Sequence, residues 1–280
     1  MEVFKTVEAL QKQLSKVKSS TKIGFVPTMG ALHNGHLSIV KKAKTENNLV
    51  VVSIFVNPTQ FDKKEDLLKY PKTIKNDLQL LENINCDIVF IPSVEELYSD
   101  KIEAASFDFE GLDKVMEGAF RTGHFDGVGT IVKKLFEIVK PNNAYFGEKD
   151  YQQLQIIKKM TANQKLPVNI VSCKIFREED GLAMSSRNVR LSSAQRDAAP
   201  LIYKSLLKSK KLFPEKSIKE IKKQIILDFE SEEFLTLEYF EIANSETLTS
   251  LENKEETVKY RAFIAAFAGA VRLIDNIALN

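Results

Sequence analysis

The chain has no tryptophan, two cysteines and three histidines among 280 residues, and its forty basic and thirty-eight acidic side chains leave a formal charge of only +2. Each scarcity excludes something. Cys86 and Cys173 lie far apart without Cys-x-x-Cys spacing, and no signal peptide is legible. A disulfide-stapled secreted domain is therefore excluded, and a reduced, cytoplasmic protein with structural thiols is expected. Charge this balanced argues against nucleic acid or an anionic membrane as the main partner and for a small ligand. Lys208, Lys210 and Lys211, like Lys219, Lys222 and Lys223, lie among Leu and Ile at helical spacing and read as solvated helix faces. No apolar run reaches the ~18 residues of a membrane-spanning helix.

What remains is enough for two domains with a substantial core. Strand-like runs at Ile23–Val26, Val50–Phe55, Asp87–Ile91, Ala144–Phe146 and Val168–Cys173 alternate with helical patterns at Leu37–Lys44, Ile74–Leu81, Thr130–Val139 and Tyr151–Ala162. Val7, Leu10, Leu14 and Val17 mark an amphipathic helix before them. That alternation predicts an α/β domain, a parallel sheet with helices on both faces. After Cys173 the character changes: helical stretches near Ala194–Phe213 and Ile218–Phe229 precede β-like runs at Leu237–Ala243, Tyr260–Ala268 and Val271–Asn276. The division expected is 1–175 and a smaller α+β domain over 176–280.

In open parallel sheets ligands bind beyond the carboxyl ends of the strands. Three segments follow strand ends directly. The first, Pro27-Thr28-Met29-Gly30-Ala31-Leu32-His33-Asn34-Gly35-His36, puts two histidines and two glycines where a strand gives way to a helix. Asn34 is the expected N-cap, and the first helical turn favours an anion, so the turn is read as a phosphate cradle with His33 and His36 donating to its oxygens. Two unrelated loop histidines would give the same spacing. The second, Phe55–Phe61, offers the carboxamides of Asn57 and Gln60, suited to a ligand with hydroxyl and carboxylate groups, although taken alone the segment reads more simply as a polar turn around Pro58. The third, Gly147-Glu148-Lys149-Asp150-Tyr151-Gln152-Gln153, gives Lys149 a route to phosphate and Asp150 to ribose hydroxyls; Glu148 and Asp150 are also what an ordinary first helical turn attracts.

Met184-Ser185-Ser186-Arg187 supplies two hydroxyls and a guanidinium at the proposed domain join, a combination able to clamp a polyphosphate; a serine-rich linker is the alternative. His124 with His33 and His36 could in principle form a zinc site, but no Cys or carboxylate pattern supports one. Asp77, beside Asn76, is a candidate for a Mg²⁺ ion carried on nucleotide phosphates, against a simple solvated helix face.

These segments together resemble the pantothenate synthetase family, the AMP-forming pantoate–β-alanine ligases. The likeness is carried by Pro-Thr-Met-Gly-x-Leu-His-x-Gly-His at 27–36, Phe-Val-Asn-Pro-x-Gln-Phe at 55–61, Gly-His-Phe-x-Gly-Val at 123–128, Phe-Gly-Glu-Lys-Asp at 146–150, Ser-Ser-Arg-Asn at 185–188 and Arg-Leu-Ile-Asp-Asn at 272–276. The resemblance implies a Rossmann-like nucleotidyltransferase domain that binds ATP and pantoate, a C-terminal α+β lid, and a homodimer. By resemblance ATP is held by Met29, Gly30, Ala31, Leu32, His33, Asn34, Gly35 and His36, by Gly147, Glu148, Lys149 and Asp150, by the backbone near Phe176, and by Met184, Ser185, Ser186 and Arg187. His36 is the proton donor the family implies, with His33, Lys149 and Arg187 as further catalytic groups. Gln60 and Gln153 would bind pantoate, Gln60 also lying near β-alanine, with Met29 and Asn57 completing the pocket. Two positions depart from the family pattern. Thr122 stands where the motif carries proline, and Asn76 precedes Asp77 where some members carry two acids for Mg²⁺. An adenylyl- or cytidylyltransferase, and a non-catalytic nucleotide-binding module, are the competing readings of the histidine turn.

Overall fold

Val26, Val50 and Val52 are fully or almost fully buried, as β-branched side chains in a sheet covered on both faces should be. In the computed structural model, which describes residues 1–61, 64–98 and 101–280, the chain divides into two compact units. One comprises Met1–Glu148 with Gln152–Lys174, the other Lys149–Tyr151 with Ile175–Asn280.

The first unit carries β1 (Glu2–Phe4), α1 (Val7–Leu14), β2 (Ile23–Thr28), α2 (Asn34–Glu46), β3 (Leu49–Ile54), α3 (Lys64–Lys69), α4 (Ile74–Asn83), β4 (Ile88–Phe90), α5 (Val94–Leu97), α6 (Met116–Phe120), α7 (His124–Val139), β5 (Asn143–Gly147), α8 (Tyr151–Asn163, its first residue grouped with the second unit) and β6 (Asn169–Cys173). The six strands form one parallel sheet in the order β1-β4-β3-β2-β5-β6. Leu37, Val40 and Ala43 of α2 and Leu81 of α4 pack on one face with Val26, Val50, Val52 and Val89. On the other, the Phe136 ring of α7 meets Phe25 and Phe146 edge-on, at 6.3 and 6.4 Å between centroids. Each such buried aromatic or aliphatic side chain contributes roughly 1.5–3 kcal/mol.

The second unit adds α9 (Ser193–Ala198), α10 (Leu201–Leu212), α11 (Ile218–Glu230), β7 (Thr236–Asn244), β8 (Tyr260–Ala268) and β9 (Val271–Ala278). Its strands form an antiparallel sheet in sequence order. Ala262, Ile264, Ala266 and Ala268, alternate residues of β8, pack with Ile202 and Leu206 of α10 and Ile221 and Ile225 of α11. The single helix expected over Ala194–Phe213 is two, because Pro200, the N-cap of α10, supplies no backbone N–H to continue α9. Among the described residues no helix is long and apolar enough to cross a membrane.

Candidate active site

β2 ends at Thr28, whose hydroxyl accepts from Gly30 N–H at 3.2 Å and donates to the Ser53 carbonyl at 2.7 Å. The backbone then turns left-handed twice, at Gly30 (φ +80°) and at Ala31 (φ +50°). The N-cap of α2 is His33, one residue before the expected Asn34. An imidazole replaces the usual short side chain because its Nδ1 accepts from Gly35 N–H at 3.2 Å, while Nδ1 of His36 accepts from His33 N–H at 3.4 Å. An accepting Nδ1 requires the proton on Nε2 of the neutral ring. The turn therefore differs from the expected one: its first helical N–H groups are partly served by the histidines themselves, and each ring's donor is Nε2. The two rings lie 4.0 Å apart between centroids.

Asp77, in the first turn of α4, is completely buried. Its Oδ2 accepts from Ala31 N–H at 3.0 Å, and its Oδ1 from Leu32 N–H at 2.8 Å and the Thr73 hydroxyl at 3.0 Å. The carboxylate expected to face a Mg²⁺ ion thus faces the histidine turn. Among the described residues no group of three or more His, Cys, Asp or Glu side chains is arranged to hold a metal.

Met29 joins this turn to the carboxamides: Gln60 Nε2 donates to its sulfur at 3.0 Å. Gln60 sits in a 3₁₀ turn, Pro58–Gln60, and its Oε1 accepts from Asn57 Nδ2 at 3.3 Å. Asn57 is 1% exposed, its amide satisfied within the protein. Its Nδ2 also donates to the Gly127 carbonyl at 3.0 Å, and its Oδ1 accepts from the Tyr98 hydroxyl at 2.7 Å and the Thr59 hydroxyl at 3.1 Å. Asn57 holds Gln60, the more accessible of the two amides. Of the neighbouring glutamines on α8, Gln152 is buried and ties down the 112–117 segment through Leu112 O, Val115 O and Glu117 N. Gln153 is half-buried and stands about 100° further round the helix.

His124, weighed from sequence only as a zinc ligand, instead supports the backbone of Gln60. Its Nδ1 lies 2.8 Å from the Gln60 carbonyl oxygen, and its Nε2 3.1 Å from Arg121 Nη1. It is far from a zinc ligand in character, being committed to a backbone oxygen and a guanidinium.

In the second unit, Lys149 Nζ lies 3.6 Å from Asp150 Oδ2, and its carbonyl accepts from Asn276 Nδ2 at 2.9 Å. Phe176 and Met184, separately expected near the nucleotide, are brought together: Met184 N–H donates to the Phe176 carbonyl at 3.0 Å, next to an antiparallel bridge between Arg177 and Ala183. That small hairpin turns at Gly181, with φ +91°, where the Tyr203 ring leaves no room for a Cβ. Arg177 braces it, donating to the Gly181 carbonyl at 3.0 Å, pairing with buried Asp275 at 2.6 and 3.0 Å, and stacking over Tyr203. Beyond it, the Ser185 hydroxyl accepts from Arg187 N–H at 3.3 Å, which gives the Ser185-Ser186-Arg187 segment a defined turn. Of these braces, Asp275 and Asn276 fall in the run Arg272–Asn276, to which no role is assigned from sequence, and Arg177 carries no sequence signal.

A separate cleft lined by Met1, Glu2, Leu49, Asp87 and Ile88 opens at the amino-terminal ends of β1, β3 and β4. It contains none of the candidate site residues, and lies at the wrong ends of the strands for a ligand of an open parallel sheet.

Residues 2–278 match the family model described as pantoate-β-alanine ligase. The chain is 55% identical over 282 residues to the pantothenate synthetase of Christiangramia forsetii, and 49% identical over 278 residues to that of Bacteroides fragilis, covering 100% and 98% of those proteins and 100% and 99% of itself. Among solved structures it is similar to pantothenate synthetase from Thermus thermophilus (TM-score 0.92, 39% identity, 100% of this chain and 99% of that one). It is also similar to a pantoate-β-alanine ligase from Francisella tularensis solved with β-γ ATP and β-alanine (TM-score 0.83, 37% identity, 100% and 98%).

Proposed function

The chain belongs to the pantoate–β-alanine ligase family, and from that premise we propose that it joins pantoate to β-alanine with ATP through an enzyme-bound pantoyl adenylate. A pantoate carboxylate oxygen attacks the α-phosphorus of ATP and pyrophosphate departs. The β-alanine amine then attacks the acyl carbon, and AMP leaves. No enzyme nucleophile takes part.

The observation that carries this reading is the contact between Met29 and Gln60. It joins a histidine turn, whose two rings hold their protons on Nε2, to an amide of the kind that recognises hydroxyl and carboxylate together. His36 and His33 donate to the phosphate oxygens as charge builds in the transition state, a largely electrostatic contribution. Lys149, with Gly147, Glu148 and Asp150 around it, and Ser185, Ser186 and Arg187 beside Met184 serve the same polyphosphate, and the Phe176 backbone the adenine. Gly30, Ala31, Leu32, Asn34 and Gly35 supply the turn's backbone. Gln60 and Gln153 bind pantoate, with Asn57 and Met29 fixing Gln60. Mg²⁺ enters as part of the ATP substrate, and no step is assigned to a metal held by Asp77. The enzyme is read as a cytoplasmic homodimer, the state its family implies.

Incubation with ATP, pantoate and β-alanine should give pantothenate, AMP and pyrophosphate in equal amounts. Release of ADP and phosphate would contradict the reading, and nucleotide retained in the product would replace it with a nucleotidyltransferase.

A further inference from the structure

We propose that Asp77 is a positioning residue: its buried carboxylate occupies the concavity made by the left-handed Gly30–Ala31 turn and thereby sets the orientation of His33 and His36. The inference rests on the reading of those histidines as the groups that meet phosphate.

The positive-φ turn at Gly30 and Ala31 directs two successive backbone N–H groups, those of Ala31 and Leu32, at one carboxylate, as turns that form anion-binding concavities do. Here the anion is the protein's own. Ala31 N–H reaches Oδ2 and Leu32 N–H reaches Oδ1, at 3.0 and 2.8 Å, so the carboxylate grips the turn with both oxygens. Ala31 is not glycine, and its φ of +50° is a conformation that L side chains rarely hold without outside support. Hydrogen bonds to an ionised acceptor supply that support. Gly30 is needed beside it, since a Cβ there would lie 3.1 Å from Asp77 Oδ2 and 3.0 Å from the Ile54 side chain.

Asp77 is itself held. Its backbone N–H donates to the Thr73 carbonyl at 2.8 Å, and the Thr73 hydroxyl donates to Oδ1. Its place in the first turn of α4 favours a negative charge. The chain runs from this grip through Leu32, itself buried, directly into His33, the N-cap. Displacement of Ala31 therefore moves both imidazoles. Complete burial and three donors on two oxygens are the surroundings of an internal anchor, unlike those of an ion carried in on a nucleotide.

Asp77→Asn tests this, because the amide nitrogen would confront one of the two backbone N–H groups. The chain has three histidines, so their ring resonances are readily assigned. In Asp77→Asn those of His33 and His36 should shift while those of His124 keep their wild-type positions; unchanged His33 and His36 resonances would overturn the inference. Pantoate-dependent pyrophosphate exchange should fall by about 10²-fold in kcat, with KM for pantoate and the Mg²⁺ concentration needed for half-maximal rate within about twofold of wild type. Recovery of the rate in excess Mg²⁺ or Mn²⁺ would make Asp77 a metal ligand and sink the proposal. If Asp77→Asn does not fold, Thr73→Ala takes its place, with smaller shifts of the same two histidines expected and identical spectra overturning the idea. A wild-type protein without exchange would refute the functional reading, while the resonances would still decide the role of Asp77.

Discussion

Asn276 Nδ2 donates to the backbone carbonyl of Lys149 at 2.9 Å, across 127 positions of sequence. An edge strand of the small antiparallel sheet thereby fixes the backbone of a lysine assigned to phosphate. Asn276 is 2% exposed, and Asn276→Ala takes the donor from the part-buried Lys149 carbonyl, which costs about 0.5–1.5 kcal/mol. Denaturant unfolding should register that loss, and KM for ATP should rise by roughly tenfold, the equivalent of about 1.4 kcal/mol. A variant that unfolds more easily yet binds ATP normally would restrict Asn276 to a structural role.

The Nδ1 of His124 sits 2.8 Å from the Gln60 carbonyl, and Arg121 donates toward its Nε2. Because a guanidinium only donates, Nε2 must accept and Nδ1 must carry the proton. His33 and His36 hold theirs on Nε2, so nitrogen-15 spectra should show one ring of the opposite tautomer. His124→Ala should raise KM for pantoate more than it lowers kcat, and His124→Asn, whose amide can still reach the carbonyl, should recover part of the loss. Equal effects of the two variants on kcat alone would contradict this.

Gly127 admits no side chain. A Cβ there would stand 2.3 Å from the Thr59 carbonyl oxygen and 2.7 Å from Gln60 N, backbone atoms that cannot rotate away. Gly127→Ala should destabilise by about 1–3 kcal/mol through overpacking, measurable as a lowered Tm, and should push Gln60 off its position, weakening pantoate binding. Unaltered melting and unaltered pantoate affinity would show that the 57–60 turn yields easily.

Burial pushes the Cys86 thiol up to about 12, with the Asp87 charge adding to it, and the Cys173 thiol up to about 11. In the unfolded chain both titrate near their usual 9.0. The folded state therefore binds these protons more tightly, so stability is complete below pH 9 and is lost as pH rises toward 11–12. The slope should approach about 1.4 kcal/mol per pH unit for each thiol. Replacing both cysteines with alanine should reduce the fall of the melting temperature across that window, leaving the part due to Tyr145, whose hydroxyl is pushed up to about 12 by burial; an unchanged slope would assign the alkaline loss elsewhere. At pH 8 neither thiol of the folded protein should react readily with iodoacetamide.

The parallel sheet was legible because its central strands are unbroken apolar runs, and the histidine turn because glycines and a helix pattern follow one of them. β1 was not: three residues, two of them exposed, are too short to show a period. The N-cap was misplaced by one residue because an imidazole capping its own helix is not what capping preferences favour. Asp77 looked like a solvated or metal-facing acid, since its partners Ala31 and Leu32 lie 46 and 45 residues earlier. Asn57 is a similar case: the Tyr98 hydroxyl that donates to its Oδ1 lies 41 residues away, beyond the reach of local sequence patterns. Periodicity reports which face a residue occupies, and says nothing of a hydrogen bond made across the fold.

The central claim is that a carboxylate is activated by adenylation at the histidine turn. Exchange of labelled pyrophosphate into ATP, measured without β-alanine, tests it most directly. Exchange should require pantoate, and His36→Ala should reduce it by about 10²-fold or more while the protein stays folded. Exchange that proceeds equally without pantoate, or that survives His36→Ala intact, would contradict the account.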